Sequence, residues 1–512
     1  MADHILPLKQ LKQDDLMRWL AFGFIALAVL AFYSPSLSFP PRADQVIYLA
    51  ETANNQHPLG LIIGSYDHNR HRTIAPGDEL LFRPLLYVLL GSEQVFFGHH
   101  FWAWQLLTLI AHLTLLWVLL RLSWRLTNPW LAFASTWLFA LSVINYELVT
   151  WTHLTSYILM MACVVSMIEQ VILCFEENQV AARRMLRLLL YSLIACFIYE
   201  TANIFVLIIA AILIISFPRM KWRLCLLGTP VILYIFSSYY NFSVLNHITH
   251  LTEGHSHVLL TGKQVGVFNL SLWWLYEGIF NGLYHYVFAI RTMFRTDEVM
   301  VFKPLVLNDP QVVLELLIFP AFLGLVLING ANFFKRIKVV IILLGMLLAY
   351  VAVIVLGRSH EMGNVLTAVR VNSYFPYIFW VIVVMLAFLL MPASKALTKL
   401  QRVLIIFFVT ASILSGAWQG KRIYEMAQAY AEDTNNIVLL VTTLDFLIEE
   451  KKAEPDFSFY VDPTYPGNYS YGSIRKITDP PSKKYTFAEL LYPQYFRPKA
   501  AAKYKFLAKN AQ

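Results

Sequence analysis

Apolar runs of about 20 residues constrain this chain more than any other feature of its sequence. Its 512 residues are 58% hydrophobic and only 14% charged, whereas soluble domains carry about 25% charged residues. A helix needs about 20 mostly apolar residues to cross a hydrocarbon core roughly 30 Å thick, and several runs of this chain meet that length. The sequence therefore predicts a polytopic α-helical membrane protein.

About 11 transmembrane helices are expected. The predicted spans are 19–37, 100–120, 129–144, 154–175, 186–199, 202–217, 223–240, 312–331, 337–357, 372–391 and 403–419. The spans 186–199 and 202–217 are short, and one kinked helix is the alternative to two. The first is interpreted as a retained signal anchor, because no small-residue cleavage pattern follows it.

Short basic clusters between the spans predict the orientation of the chain. Lys and Arg are enriched in cytoplasmic loops. If residues 1–18 are cytoplasmic, every inside loop carries at least two basic residues, such as Arg121 and Arg125 in one loop and Arg183 and Arg184 in another. A layout shifted by one span would put these clusters outside, so we expect an odd number of spans and an external C-terminus. The formal net charge of +8 is then a property of membrane loops and not of a nucleic-acid site.

Three segments are predicted to lie outside the membrane. The cytoplasmic N-terminus, 1–18, precedes a transmembrane domain at 19–419, which has external loops at 38–99 and 241–311. Residues 420–512 form a soluble tail. A helical pattern in "KRIYEMAQAYAEDTNNIVLLVTTLDFLIEE" and a strand-like "DFSFYV" predict that this tail is a small α/β extracytoplasmic domain.

The first external loop carries the candidate for catalysis. Asp44 lies in "SFPPRADQVIYLAE", just beyond the predicted end of the first span. A solvated loop acid is the ordinary interpretation of such a residue. The apolar residues of "VIYLAE" and "LLFRPLLYVLLG" recur at helical spacing, and amphipathic helices of this kind lie along the membrane interface. They would hold Asp44 near the outer membrane face.

Two stretches in the first half of the chain resemble motifs of membrane O-mannosyltransferases. "FRPLLYVLLGSEQVFFGHHFWAWQLLTLIAHLTLLWVLLRL" is similar to that family's "RPL…G…fH..N…H…LL" and contains Arg83. "LFALSVINYELVTWTHLTSYILMM" is similar to its "P.h.E.v.w..gR.dlL", with Glu147 and Trp151 at matching positions.

Two further stretches extend the resemblance. "IACFIYETANIFVLIIAAIL" is similar to the family's "sKE.gi..p", with Glu200 matching and Tyr199 in place of the Lys. "TAVRVNSYFPYIFW" is similar to its "RY.YlP", with Arg370 matching and the aromatic residue displaced to Tyr374. Together they cover about the first 220 residues and one late segment.

The resemblance implies a glycosyltransferase of the GT-C fold that uses a lipid-linked sugar. In that family the first external loop carries the catalytic acid, and Asp44 occupies this place. Arg83 and Arg370 are the expected phosphate-binding cations, and Glu147 and Glu200 are expected to shape the substrate site. Further candidate cations on the predicted outer side are Arg291, Arg295 and Lys303.

His112 and Tyr374 complete the predicted substrate-binding residues. Polar side chains within membrane spans are costly and often functional, and His112 lies inside the second predicted span. A hydrogen-bonded core histidine explains His112 as well as a ligand contact does. For Glu147 and Glu200, an interfacial carboxylate in water is the plain alternative.

The chemistry of a polyprenyl-phosphate sugar makes few demands on the protein. The phosphate is already a good leaving group, so one carboxylate that takes the proton of the acceptor hydroxyl is sufficient. Cationic side chains stabilise the departing phosphate. A single base with direct displacement predicts inversion at the anomeric carbon, by analogy with inverting glycosidases.

No cofactor is expected to be required, and a divalent metal stays open as the less favoured alternative. The four cysteines lack metal-ligand spacing. The histidines of "NHITHLTEGHSH" are interpreted as a solvated loop and not as a zinc site. The expected partners are a lipid-linked sugar donor, membrane lipid and an acceptor that is a protein, a lipid or a glycan, with no nucleic acid.

Other functions stay open at this point. A lipid-linked polysaccharide polymerase or ligase would also be polytopic with outer arginines. A lipid-linked sugar flippase or transporter would be expected to have repeat symmetry, which this sequence lacks. A non-catalytic membrane scaffold is a third alternative. The expected location is the cytoplasmic membrane of a prokaryote in preference to the endoplasmic reticulum, with the active site on the outer face.

Overall fold

The computed structural model describes residues 8–39, 83–98, 100–142, 145–239 and 399–449. These residues form helices, and none of them lies in a β-strand. The α-helices are α1 (Leu8–Tyr33), α2 (Pro84–Phe97), α3 (Phe101–Leu126), α4 (Pro129–Ala140), α5 (Asn145–Thr150), α6 (Thr155–Glu176), α7 (Ala182–Ile198), α8 (Ala202–Ser216), α9 (Lys221–Leu224), α10 (Thr229–Tyr239) and α11 (Lys399–Glu449). Short 3-10 helices lie at Ser34–Ser38, Thr152–Leu154, Pro218–Met220 and Cys225–Gly228.

Three helical segments of the described chain are long and apolar enough to cross a membrane. They are Asp15–Ser38, Phe101–Leu126 and Thr152–Glu176, with 24, 26 and 25 residues. Each overlaps a predicted span, so the described residues are helical as predicted and compatible with a membrane protein. A helix of 24 residues is about 36 Å long at 1.5 Å per residue, enough for the hydrocarbon core.

Other predicted spans coincide with shorter helices. The spans 129–144, 186–199 and 202–217 correspond to α4, α7 and α8, with 12, 17 and 15 residues. The spans 312–331, 337–357 and 372–391 lie outside the described residues. Of the eleven predicted spans, three therefore correspond to helical segments of full spanning length in the described part of the chain.

The predicted span 223–240 differs from the structure, which divides it. A 3-10 helix at Cys225–Gly228 separates α9 from α10, which begins at Thr229. Gly228 favours a break because glycine is a poor helix former, and Pro230 fits only in a first helical turn, where a missing N–H is not needed. The sequence itself, with Gly and Pro inside one apolar run, is the physical reason for the division.

Helices α3 and α6 run parallel through the centre of the bundle. Near their first residues, the hydroxyl oxygens of Thr108 and Thr155 lie 2.6 Å apart. Near their last residues, Arg125 Nη1 donates to Glu176 Oε2 at 3.0 Å. Helix α4 makes the return connection between them. In the most apolar stretch of Thr152–Glu176, 78% of the residues are buried, whereas the corresponding share in Asp15–Ser38 is 22%. Helix α6 is therefore the central element of the bundle and α1 a peripheral one.

Helices α7 and α8 form a hairpin that packs against α6. The rings of Tyr199, after α7, and Tyr157, in the first turn of α6, have centroids 5.2 Å apart. The rings of Phe217, after α8, and Phe175, in the last turn of α6, have centroids 5.6 Å apart. Helix α7 is therefore antiparallel to α6, and α8 runs back along it. The turn between them, which contains Glu200, lies at the end of the bundle where α3 and α6 begin.

The two ends of the bundle differ in their charged residues. We call the end that contains Arg83 and Glu200 the Arg83 end. We call the opposite end the Arg121 end, because Arg121 of α3 is bonded there to Glu169 of α6. The Arg121 end also holds Arg18, whose guanidinium carbon lies 5.8 Å from the ring centroid of Trp124. The Arg121 end therefore contains basic residues from separate segments that the sequence predicts to lie on the cytoplasmic side of the membrane.

Helix α11 packs against α4 and α1 through glycines. Trp137 of α4 lies against Gly416, and its Nε1 donates to the Ile413 carbonyl oxygen at 3.1 Å. Further along, Gly420 lies against the ring of Phe32. With 51 residues, α11 is about 75 Å long at 1.5 Å per residue, so one helix continues across residue 420, the predicted start of the tail. The strand-like "DFSFYV" lies outside the described residues.

Candidate functional site

Arg83 and Glu200 form a partly buried bidentate ion pair. Arg83 Nε donates to Glu200 Oε2 at 2.7 Å, and Arg83 Nη2 donates to Glu200 Oε1 at 2.6 Å. Two parallel charge-assisted bonds are the strongest geometry available to a guanidinium and a carboxylate. The pair joins residues 117 positions apart in the sequence, so it ties the start of α2 to the α7–α8 turn.

Tyrosine rings support this ion pair. The Arg83 guanidinium carbon lies 4.1 Å from the ring centroid of Tyr199, close enough for a cation–π interaction. The edge-to-face contact of Tyr199 with Tyr157 holds the Tyr199 ring in turn. The guanidinium is therefore fixed by a carboxylate at one edge and by an aromatic ring against its face.

Local sequence explains how each partner is positioned. Pro84 follows Arg83 and opens α2, where its fixed φ favours the first helical turn. Tyr199 has an extended backbone, with φ of −144° and ψ of 133°, and this ends α7. Asn203 Nδ2 donates to the Glu200 carbonyl oxygen at 2.8 Å. This bond fixes the turn from which the Glu200 side chain projects.

The two partners differ in exposure. The Arg83 side chain is 9% exposed and the Glu200 side chain 31% exposed. The carboxylate is thus on the accessible side of the pair, and the guanidinium lies behind it. A buried cation without a counter-charge would be costly, and Glu200 supplies that charge.

Neutral polar contacts surround the same end of the bundle. Gln105 Nε2 of α3 donates to the Val149 carbonyl oxygen of α5 at 2.6 Å. Thr155 donates to the Thr152 carbonyl oxygen at 2.6 Å. These bonds fix α5 beside α3 and α6. Glu147 belongs to α5, so its backbone lies in this region, and it is the backbone of Glu147 that the structure describes.

His112 lies in a different part of the bundle. It is fully buried in α3, with its ring centroid 6.3 Å from that of Tyr33 in α1 and 6.3 Å from that of Phe139 in α4. Its neighbours come from α1 and α4, whereas those of Arg83 come from α6, α7 and the turn that follows. The structure therefore brings Arg83 and Glu200 together and does not add His112 to them.

The remaining predicted site residues lie outside the described residues. They are Asp44, Arg370 and Tyr374. Asp44 follows shortly after Phe39, whose ring centroid lies 4.6 Å from that of Tyr430 in α11. Their positions relative to the Arg83–Glu200 pair stay predictions.

Glu93 of α2 is a buried acid that the sequence prediction missed. It is 1% exposed, and neither carboxyl oxygen has a hydrogen-bond partner in the described structure. Burial raises the pKa of Glu93 well above its usual value. A signal existed in the sequence, because Glu93 shares a helical face with Leu86, Leu90 and Phe97 at spacings of four and three residues.

Metal-binding side chains are scattered in the described parts of the chain. No three His, Cys, Asp or Glu side chains within those parts are grouped as a metal ion would require. The histidines of "NHITHLTEGHSH" lie outside them.

Comparisons with known proteins found no match: no family model, no curated protein and no solved structure matches the chain. Any function assigned to the Arg83 end therefore depends on the residues and contacts described above and on the motifs of the sequence.

Proposed function

We propose that the chain is an inverting membrane glycosyltransferase. It would transfer a sugar from a polyprenyl-phosphate donor to an acceptor at the outer face of the membrane. The observation that carries the proposal is the Arg83–Glu200 pair. Arg83 and Glu200 come from two separate stretches that resemble O-mannosyltransferase motifs, and they meet in one bidentate contact.

The distribution of charge supports the proposed orientation. Arg18, Arg121, Arg125 and Arg184 belong to predicted cytoplasmic segments. Arg125 bonds Glu176 and Arg184 bonds Glu177, both at the end of α6 that forms the Arg121 end. Basic residues favour the cytoplasmic side, so the Arg83 end is assigned to the outer face. Asp44 follows the first span on that same outer side.

The proposed reaction needs one base and one cationic site. Asp44 takes the proton of the acceptor hydroxyl, whose oxygen attacks the anomeric carbon of the donor sugar. The bond from that carbon to the phosphate oxygen breaks, and the polyprenyl phosphate leaves with the electron pair. Arg83 and Arg370 stabilise the negative charge of the leaving phosphate. Attack opposite to the leaving group inverts the anomeric centre.

The other proposed residues have supporting roles. Glu147, Glu200 and Tyr374 are assigned to the substrate region, where they shape the site or contact the sugar, and His112, which packs between Tyr33 and Phe139 away from the Arg83–Glu200 pair, is left out of it. No cofactor is proposed, because the leaving group of the donor is already activated. The acceptor is a protein, a lipid or a glycan, and the proposed location is the cytoplasmic membrane of a prokaryote.

A transfer assay tests this proposal. The purified protein is incubated in lipid nanodiscs with a panel of radiolabelled polyprenyl-phosphate hexoses and with membrane extract as a source of acceptors. We expect one donor to be consumed, and Asp44→Asn to lower the rate by about 10²-fold or more, the usual loss when a general base is removed. Asp15→Asn is the matched control, because Asp15 is a 66% exposed acid near the start of α1. Equal rates for Asp44→Asn and wild type would exclude Asp44 as the base, and an absence of transfer from every donor would contradict the enzyme class.

A further inference from the structure

Glu200 occupies one of the two edges by which the Arg83 guanidinium can bind an oxyanion with two hydrogen bonds. A guanidinium presents parallel N–H groups that match two oxygens of either a carboxylate or a phosphate. In Arg83, Nε and Nη2 both donate to Glu200, at 2.7 and 2.6 Å. A phosphate bound bidentately at this edge would use the same two nitrogens.

The surroundings of the pair decide which partner can move. Arg83 is held by the Tyr199 ring at 4.1 Å and is 9% exposed. Glu200 is 31% exposed and lies in the turn between α7 and α8. The Glu200 carboxylate is therefore the partner that solvent reaches more readily, whereas movement of Arg83 would disturb the start of α2 and the contact with Tyr199.

We propose that Glu200 is a built-in substitute for the phosphate of the lipid donor. Its carboxylate holds the Arg83 guanidinium in position while the site is empty, and it swings outward when a lipid phosphate binds to Arg83. This inference rests on the proposed function, in which Arg83 binds the phosphate. It changes the role of Glu200 from a residue that shapes the site to one that competes with the donor.

Competition of this kind has a physical consequence for turnover. The displaced carboxylate stays close to the bound phosphate, and two like charges a few ångströms apart repel each other. Glu200 therefore weakens phosphate binding and favours release of the polyprenyl phosphate product. A residue that only supported the pair would have the opposite effect when it is removed.

A binding titration without sugar tests the inference separately from the proposed enzyme. Polyprenyl phosphate is titrated into wild type, Glu200→Gln and Arg83→Ala in detergent, with calorimetric detection. Gln keeps the shape of Glu and removes its charge. We expect Glu200→Gln to bind about five- to tenfold more tightly, a coupling of ordinary size, and Arg83→Ala to bind more weakly than wild type. Unchanged or weaker binding by Glu200→Gln would overturn the inference, and unchanged binding by Arg83→Ala would remove Arg83 from the phosphate site.

The Arg121–Glu169 pair at the opposite end provides the matched control. It also joins a guanidinium to a carboxylate across two helices, so Glu169→Gln makes the same chemical change away from the site. We expect Glu169→Gln to leave the affinity for polyprenyl phosphate unchanged, and tighter binding there would mean that overall charge causes the effect. Glu200→Asp is the second variant, since its shorter carboxylate holds Arg83 less well and should also tighten binding. A failure of sugar transfer with these affinities as expected would count against the enzyme and not against the competition.

Discussion

Glu93 and Glu169 are both buried acids, but only Glu169 has an ion-pair partner among the described residues. Glu169 of α6 is 3% exposed and is bonded to Arg121. Glu93 of α2 is 1% exposed, and its carboxyl oxygens accept and donate no hydrogen bond among the described residues. An isolated carboxylate is very costly to bury, so such a group is held in its neutral form. Burial therefore raises the pKa of Glu93 and favours its neutral form, whereas Glu169 is a partner in an ion pair.

Glu93→Gln should remove a pH dependence of stability. The pKa of Glu93 is raised in the folded protein by burial, with no charged neighbour as a further cause. Its protonated form therefore stabilises the fold at low pH, and this contribution is lost as pH rises from about 4.3, the unfolded value, through the raised folded pKa. We expect Glu93→Gln to gain thermal stability relative to wild type as pH rises through that window, measured by melting in one detergent.

Glu169→Gln is the control for that measurement. It leaves the Arg121 guanidinium without its carboxylate, so we expect a loss of about 1–3 kcal/mol at neutral pH, the usual effect of breaking a hydrogen bond to a charged group. Equal losses in Glu93→Gln and Glu169→Gln would mean that Glu93 has an ionic partner after all.

At the scale of elements, the close contact of α11 with α4 requires a residue without a side chain at position 416, which is glycine. A Cβ atom at Gly416 would lie 2.5 Å from Trp137 Nε1 and 2.6 Å from Trp137 Cδ1. The Trp137 ring would have to shift, and its 3.1 Å bond to the Ile413 carbonyl oxygen would be lost or weakened. We expect Gly416→Ala to destabilise the protein by about 1–3 kcal/mol, the usual cost of overpacking, as measured by thermal unfolding.

Gly23→Ala in α1 is the matched substitution, because no atom lies within 4 Å of the position that the added methyl group would take. There the higher helix propensity of Ala predicts a gain of up to about 1 kcal/mol. A similar loss of stability for both variants would show that the effect comes from glycine chemistry in general and not from the Trp137 contact.

The sequence predicts elements better than the contacts between them. The apolar runs locate α1, α3 and α6 because a membrane-spanning helix is defined by length and hydropathy alone. The motif resemblance assigns Arg83 and Glu200 to one site. Their direct bond could not be predicted, since it depends on how α2 packs against α7 and the turn after it. Glu93 is missed because "LLYVLLGSEQVFF" is read as an apolar run, in which a single acid has little weight.

At the scale of the whole molecule, the two ends of the described bundle hold different charged pairs. Arg18, Arg121, Arg125 and Arg184 lie toward one end, where acids from α6 and the turn after it pair with three of them. Arg83 and Glu200 lie at the other. Because cytoplasmic loops are enriched in Arg and Lys, this division predicts that the α6–α7 turn is cytoplasmic and that Asp44 and the tail at 420–512 are external.

Cysteine labelling tests this prediction in intact cells. The native cysteines, Cys163, Cys174, Cys196 and Cys225, are free and can be replaced. Single cysteines are then introduced by Ala43→Cys beside Asp44, by Ser482→Cys in the tail and by Gln179→Cys in the exposed α6–α7 turn. We expect a membrane-impermeant maleimide to label positions 43 and 482 in intact cells and position 179 only after permeabilisation. Labelling of 43 and 482 from opposite sides would contradict the proposed topology, and labelling of 43 together with 179 would place the Arg121 end on the same side of the membrane as Asp44.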